Sequence, residues 1–391
     1  MTVNSRSPVV LTWSGVTARR MARNFLAEPT TDHSLAEVAG ALCGVHAQVL
    51  SAAELSIGRR VAGGTRSAVQ HALWGERTLV KTFGPRGTIH LLSASDLPTW
   101  TGALSALPAS VPKHPEGVRF EQDQAEEVIA AIGDALVDAE LTVDELTEAI
   151  ASRAGAWAVE RTMEAFGDRW PRWRQLTSTA AHRAMLCFGP SRGRQVTYTN
   201  PHRWLPGFSP EAGDVALRRL VRRYLHAYGP ATSQHLARWL GVPPRQAAQI
   251  FSNLASELER VELDGETAWV LGGDTETPTQ PHRGIRLLPY FDAYVVAGQP
   301  RALLYPGAAA TRALIPSGQA GNYPVLLVDG IVGGVWHQRR TGGKLAITVE
   351  PLRELTAVQR RQLHEEADIV GAVMEAIAAV TVGHVTAGPH A

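Results

Sequence analysis

At 391 residues, with 45% hydrophobic and 19% charged side chains, the chain has the balance of an ordinary globular protein and room for roughly two to four domains. A net charge of +1 neither requires nor excludes a polyanionic partner. Two cysteines, Cys43 and Cys187, are too few for a disulfide framework or a four-cysteine metal site, and no apolar run reaches the ~20 residues that cross a bilayer. The opening stretch Met1 to Arg6 lacks the charged-then-apolar pattern of a secretory signal. A reduced, cytoplasmic compartment is therefore expected, with no cofactor, no structural metal and no membrane.

Three segments repeat one plan of helices followed by a β-hairpin. In the first, helices are expected over Val16 to Phe25, Leu35 to Leu42 and Thr65 to Leu73, then strands Thr78 to Phe83 and Gly87 to Leu92. In the second, Thr142 and Glu145 form a capping box that starts a helix. A longer helix is expected from Arg172 to Leu186, with a hairpin from Cys187 to Thr199. The third is the clearest. Val215 to Ala227 is amphipathic, Thr232 or Ser233 caps a helix to Leu240, and Pro243-Pro244 open another running to about Glu259. Asp264-Gly265 then turns a hairpin between Val261 and Val270.

Three helices and a hairpin make a winged helix-turn-helix, an architecture suited to duplex DNA. Beyond it the chain is β-rich: Ile285 to Pro289, Tyr294 to Val296, Val325 to Val328, Ile331 to Trp336 and Leu345 to Val349. Five short strands suggest a small barrel or open sheet. A closing helix is expected over Ala357 to Val380 and a disordered tail from Gly383. The fold class is thus α+β, with three winged helix-turn-helix subdomains (8–115, 116–210 and 211–280). A small C-terminal β-barrel with its closing helix (281–382) and a tail (383–391) complete it.

Arginine dominates the basic residues, since only Lys81, Lys113 and Lys344 are lysine. Doublets occur at Arg59-Arg60 and Arg339-Arg340, among others. The planar guanidinium fork suits phosphate, whereas solvated helix faces account for such pairs equally well. Arg86, Thr88 and His90 alternate with apolar residues and would share one strand face, either contacting DNA or forming the wet side of a wing. Arg339, Arg340 and Lys344 sit at a hairpin tip that either reaches DNA phosphates or is an ordinary loop.

The chemistry points elsewhere, to Gly44-Val45-His46-Ala47-Gln48-Val49. Gly44 stops the preceding helix. If the chain then runs extended, His46 and Gln48 face one way, and Val45, Ala47 and Val49 the other. Such a pair can hold and polarise one water molecule. A lone histidine at an apolar helix end is otherwise a packing residue. Gly189-Pro190-Ser191-Arg192-Gly193 matches the serine-hydrolase pattern, but a strand-forming stretch follows where a helix is required, so it reads as a wing tip. No phosphate-binding loop, dinucleotide fingerprint or zinc helix is present in the sequence.

These residues resemble the AlkZ-type (YcaQ-like) winged-helix DNA glycosylases. The resemblance runs through Gly44 to Gln48, Arg86 to Leu91, Phe188-Gly189-Pro190, Tyr228 to Thr232, Ala237 to Gly241, Leu287 to Asp292, and Val328-Asp329-Gly330 leading to Trp336. The family's motif is Gln-apolar-Gln or Gln-apolar-Asp; here it reads His46-Ala47-Gln48. The histidine variant looks like a subgroup associated with resistance to DNA-alkylating natural products.

The resemblance implies catalytic roles for His46 and Gln48; from their chemistry and clustering, Arg59, Arg60, Arg86, Thr88, His90, Arg339 and Arg340 are the expected DNA contacts. The implied reaction is monofunctional hydrolysis of the N-glycosidic bond of N7-alkylguanine or N3-alkyladenine in duplex DNA, bulky adducts included. The partner is double-stranded DNA and the enzyme a monomer. A histidine with an ordinary pKa of ~6.5 accepts a proton from water near neutral pH, and no lysine lies near for Schiff-base chemistry. The alternatives are a non-catalytic winged-helix DNA-binding protein or regulator, and a fold relative that has lost activity.

Overall fold

The structure, a computed structural model, describes residues 8–108, 115–165 and 168–389. The expectations placed on Met1 to Arg6, Lys113 and the last two residues of the tail lie outside the described residues. The chain divides into two compact units, one of residues 1–71 with 221–391 and one of residues 72–220. Among the described residues no helix is long and apolar enough to cross a membrane.

In the first unit, helix Trp13–Arg23 starts at Thr12, whose hydroxyl accepts the Gly15 N–H at 3.2 Å. Helix Leu35–Ala41 opens on a Ser34/Glu37 capping box. It is stopped by two left-handed residues, Cys43 (φ 54) and Gly44 (φ 82). The strand Val45–His46 follows at once, then helix Leu50–Gly58, which the periodicity of the sequence did not announce.

The third repeat reads as expected. Thr232 caps helix Ser233–Leu240, and Pro244 opens helix Pro244–Asn253, which ends earlier than predicted. Strands Leu258–Leu263 and Glu266–Leu271 pair across Asp264 (φ 52) and Gly265 (φ 79), the signs that a two-residue type I′ turn demands. An unforeseen strand, Val9–Leu11, joins this hairpin in parallel, and Leu11 and Val16 pack on Val261, Leu263 and Val270.

The C-terminal sheet is a curled, five-stranded half-barrel, the open alternative rather than a closed barrel. Its strands run Ile285–Leu288, Val325–Val328, Ile331–Thr341, Lys344–Pro351 and Ile377–Val382, in that spatial order. Two sequence assignments change here. Tyr294 to Val296 is helical, not extended, because Asp292 accepts the Tyr294 N–H at 3.0 Å and starts helix Ala293–Ala297. The closing helix stops at Val373, since Glu375 is left-handed (φ 53) and the Ala376 N–H returns to the Gly371 carbonyl. The alternating stretch Ile377–Val382 then pairs in parallel with Lys344–Pro351 as the edge strand. Val385, in the segment expected to be a free tail, is buried and donates its N–H to Glu350 at 2.8 Å.

In the second unit, hairpin Leu79–Phe83 with Ile89–Ser93 precedes helices Leu97–Ser105, Gln122–Leu136 and Val143–Ala154. The Thr142/Glu145 capping box forms as read. An extra hairpin, Arg161–Ala165 with Asp168–Pro171, was not foreseen. The expected long helix from Arg172 is a tight turn, Arg172–Leu176, followed by the short helix Thr177–His182. Hairpin Cys187–Arg192 with Gln195–Thr199 closes the unit, and Ser191 lies near its tip.

Candidate active site

The motif inherits its position from the chain reversal at Cys43-Gly44. Val45 and Ala47 are each 1% exposed and His46 is 8% exposed. The His46 imidazole stacks on the Phe291 ring, centroids 4.4 Å apart and planes 20° from parallel. Extension covers only Val45–His46; the chain bends at Gln48, which is exposed, and turns into helix Leu50–Gly58. The two-residue alternation predicted from sequence therefore gives His46 and Gln48 different surroundings, one walled by an aromatic ring and one open to solvent.

Phe291 holds a left-handed backbone conformation (φ 55), and its N–H donates to the Gly321 carbonyl at 2.6 Å. Its neighbour Asp292 is fully buried. The Arg60 guanidinium grips both Asp292 oxygens, at 2.9 and 2.7 Å, and the Ser56 hydroxyl donates at 2.8 Å. Burial alone would push the Asp292 carboxyl up; the Arg60 charge and the hydrogen bonds from Arg60, Ser56 and Tyr294 outweigh it and hold it below the usual carboxylate range. Ser56 and Arg60 belong to the helix that begins four positions after His46 and to its C-terminal turn. Sequence and helix geometry thus tie the motif to the segment that supplies its aromatic wall.

Arg59 and Arg60, expected at DNA, are both buried in ion pairs inside the protein. Arg60 is 0% exposed in the pair just described, and Arg59 is 4% exposed, bound to Glu366 at 2.9 Å and to the Leu287 carbonyl. Both are internal ion pairs. Their partners lie 232 and 307 residues away in sequence, so a doublet in isolation gave no hint of them.

Arg86, Thr88 and His90 also depart from expectation, because they do not share one strand face. Arg86 sits in the tight turn Pro85–Gly87 with φ 62, ahead of strand Ile89–Ser93. Thr88 donates its hydroxyl to the Pro85 carbonyl at 2.9 Å. His90 is 4% exposed, and its Nδ1 lies 2.8 Å from the Thr88 carbonyl oxygen. Thr88 and His90 are thus held by backbone carbonyls of the turn and of the residue that follows it.

Arg339 and Arg340 do lie at the end of the long hairpin, and both are exposed. Arg340 folds back: its guanidinium donates to the Met374 carbonyl at 2.7 Å, just past the end of helix Ala357–Val373. Arg339 and Lys344 remain solvent-exposed at the tip. Among the described residues no group of three or more His, Cys, Asp or Glu side chains is placed to hold a metal ion. Phe291 and Asp292 were missed as site residues; their only signal was the stretch Leu287 to Asp292, noted for its resemblance alone.

Comparison with known proteins identifies the family. The family model "DNA glycosylase AlkZ-like" matches residues 39–373. An interstrand DNA cross-link repair glycosylase from Streptomyces sahachiroi is 34% identical over 354 residues, spanning 83% of this chain and 87% of that protein. The solved structure of the Streptomyces sahachiroi DNA glycosylase AlkZ superposes with a TM-score of 0.81 at 28% identity, covering 96% of this chain and all of that one. A family match across most of the chain, and a full-length relative above 30% identity, leave one conclusion: the chain belongs to the AlkZ-like DNA glycosylase family.

Proposed function

We propose that the protein is a monofunctional DNA glycosylase that removes alkylated purines from duplex DNA, with His46 as general base and Gln48 orienting the attacking water. The observation that carries this reading is the placement of His46. It is buried against Phe291, in a segment that the family match includes, with a hydrogen-bonding amide two residues on at the surface.

The chemistry requires little more. A guanine alkylated at N7, or an adenine alkylated at N3, is already cationic. When the C1′–N bond breaks, the bonding electrons go to the base, which leaves neutral without being protonated. Water adds to C1′ of the oxocarbenium-like sugar, its proton passes to His46, and an abasic site remains. Gln48 does not titrate; its amide both donates and accepts hydrogen bonds and so orients the water.

The repeated helices and hairpins read as winged helices, elements that suit duplex DNA. The relative named for interstrand cross-link repair extends this proposal to bulky and cross-linked adducts. Repair of self-inflicted alkylation, in a producer of such compounds, is the role this chemistry fits.

The test is a duplex carrying one N7-alkylguanine. Release of the free alkylated base, alkali-labile scission, and no covalent adduct on borohydride treatment are expected. Tight binding without base release supports instead a non-catalytic DNA-binding protein. Borohydride trapping would overturn the monofunctional mechanism.

A further inference from the structure

We propose that Phe291 is a positioning residue for His46: its ring sets the plane of the imidazole, and the buried Arg60–Asp292 pair sets Phe291. This deepens the catalytic role proposed for His46 and rests on it.

The terminal torsion of a histidine side chain is broad, so burial by itself does not fix the ring plane. A general base must nevertheless present one nitrogen in a defined direction, and an error of about 1 Å can cost ~100-fold in rate. Stacking at 4.4 Å with a 20° interplanar angle supplies that restraint. The imidazole lies face-on to Phe291, so both ring nitrogens stay at its edge, in a plane that the phenyl ring dictates.

Phe291 itself is fixed at unusual expense. A left-handed backbone at a bulky residue is strained and persists only where the surroundings impose it. Here they do so from both sides. Its own N–H is held by the Gly321 carbonyl at 2.6 Å, and a Cβ at Gly321 would come within 3.0 Å of the Phe291 Cα. The next residue, Asp292, accepts from Arg60, Ser56 and the Tyr294 N–H, and is 0% exposed. Ser56 is carried by the helix that follows the motif, and Arg60 by the turn at its end. The path from His46 along the helix to Arg60, across to Asp292, and back through Phe291 to His46 closes on itself. A residue that merely filled the core would need neither the left-handed backbone nor a tether to the motif's own helix.

The test compares Phe291→Leu with the ring-preserving Phe291→Tyr, with Phe291→Met standing in if the leucine variant does not fold. Three quantities are read on the full chain: single-turnover excision from an N7-methylguanine duplex, affinity for that duplex, and the His46 Hε1 chemical shift in histidine-labelled protein, assigned by its loss in His46→Ala. Phe291→Leu is expected to slow excision by about 10- to 100-fold with affinity unchanged within about twofold. The His46 resonance should move downfield as the ring current is lost, and Phe291→Tyr should restore both rate and shift. Excision at the unmodified rate in Phe291→Leu, while His46→Ala is inactive, overturns the positioning role alone. An active His46→Ala overturns the catalytic reading itself, and this proposal with it. A slower rate that Phe291→Tyr does not restore, or an unmoved His46 resonance, marks Phe291 as a packing residue and also overturns it.

Discussion

Arg60 and Asp292 meet across 232 residues of sequence, joined by two hydrogen bonds of 2.9 and 2.7 Å, with neither side chain exposed. One partner follows the helix that begins four positions after His46, and the other is the sequence neighbour of Phe291, whose ring stacks on His46. The pair is therefore the joint between the helical N-terminal segment and the C-terminal half-barrel within this unit.

Removing one partner leaves a buried charge without its counterion. Asp292→Asn, or Arg60→Met, is expected to destabilise the protein by about 3–5 kcal/mol. The double change Arg60→Met with Asp292→Leu should cost clearly less than the sum of the single changes. Urea unfolding of the three variants measures this. The pH dependence has a definite sign. The folded Asp292 carboxyl is held below its ordinary range, so its contribution is present above about pH 4 and is lost as the pH falls through the lower folded value.

His182, in the other unit, adds a second loss of stability in acid, here because burial keeps its ring neutral. Burial disfavours its cation and pushes it down to about 4 from the ordinary 6.5; a weak hydrogen bond to the Gly84 carbonyl, 3.3 Å away, opposes this. The unfolded chain therefore takes up a proton first. Stability is full above about pH 6.5, declines as the pH drops toward 4, and levels off beneath it. The decline amounts to at most about 3 kcal/mol from this residue. Melting curves between pH 4 and 7 should show a shallower decline in His182→Gln than in the parent.

The hairpin tip carries a separate prediction about DNA. Arg339 and Lys344 are exposed, and phosphate contacts release condensed counterions. Arg339→Ala and Lys344→Ala should each weaken binding uniformly across sequences. Each should also make the slope of log affinity against log salt less steep by about one. Fluorescence anisotropy across a salt series checks this. Unchanged slopes in both variants would remove the tip from the interface.

Legibility of the sequence tracked the range of the physics involved. Thr232, Pro244 and Asp264-Gly265 act within a few residues of themselves, through a cap, a first helical turn and a left-handed turn, and their elements are where they were expected. Tyr294 to Val296 looked like a strand because three apolar residues ignore the one carboxylate before them. Asp292 overrides their propensity by capping a helix. Ile377 to Val380, most of the edge strand, was absorbed into the preceding helix despite its alternation, because nothing in the sequence announced that Glu375 would turn left-handed. The site followed the same rule. His46 and Gln48 were singled out from local spacing, whereas the ring beside His46 and the burial of Arg59 and Arg60 depend on partners more than 200 residues away.

Single-turnover release of N7-methylguanine from a duplex, measured for the parent, His46→Ala and Gln48→Ala alongside DNA affinity, tests whether His46 performs the chemistry. A loss of at least ~100-fold in His46→Ala, a smaller loss of about tenfold in Gln48→Ala, and affinity retained in both are expected. Base release by His46→Ala at the parent rate would contradict that role.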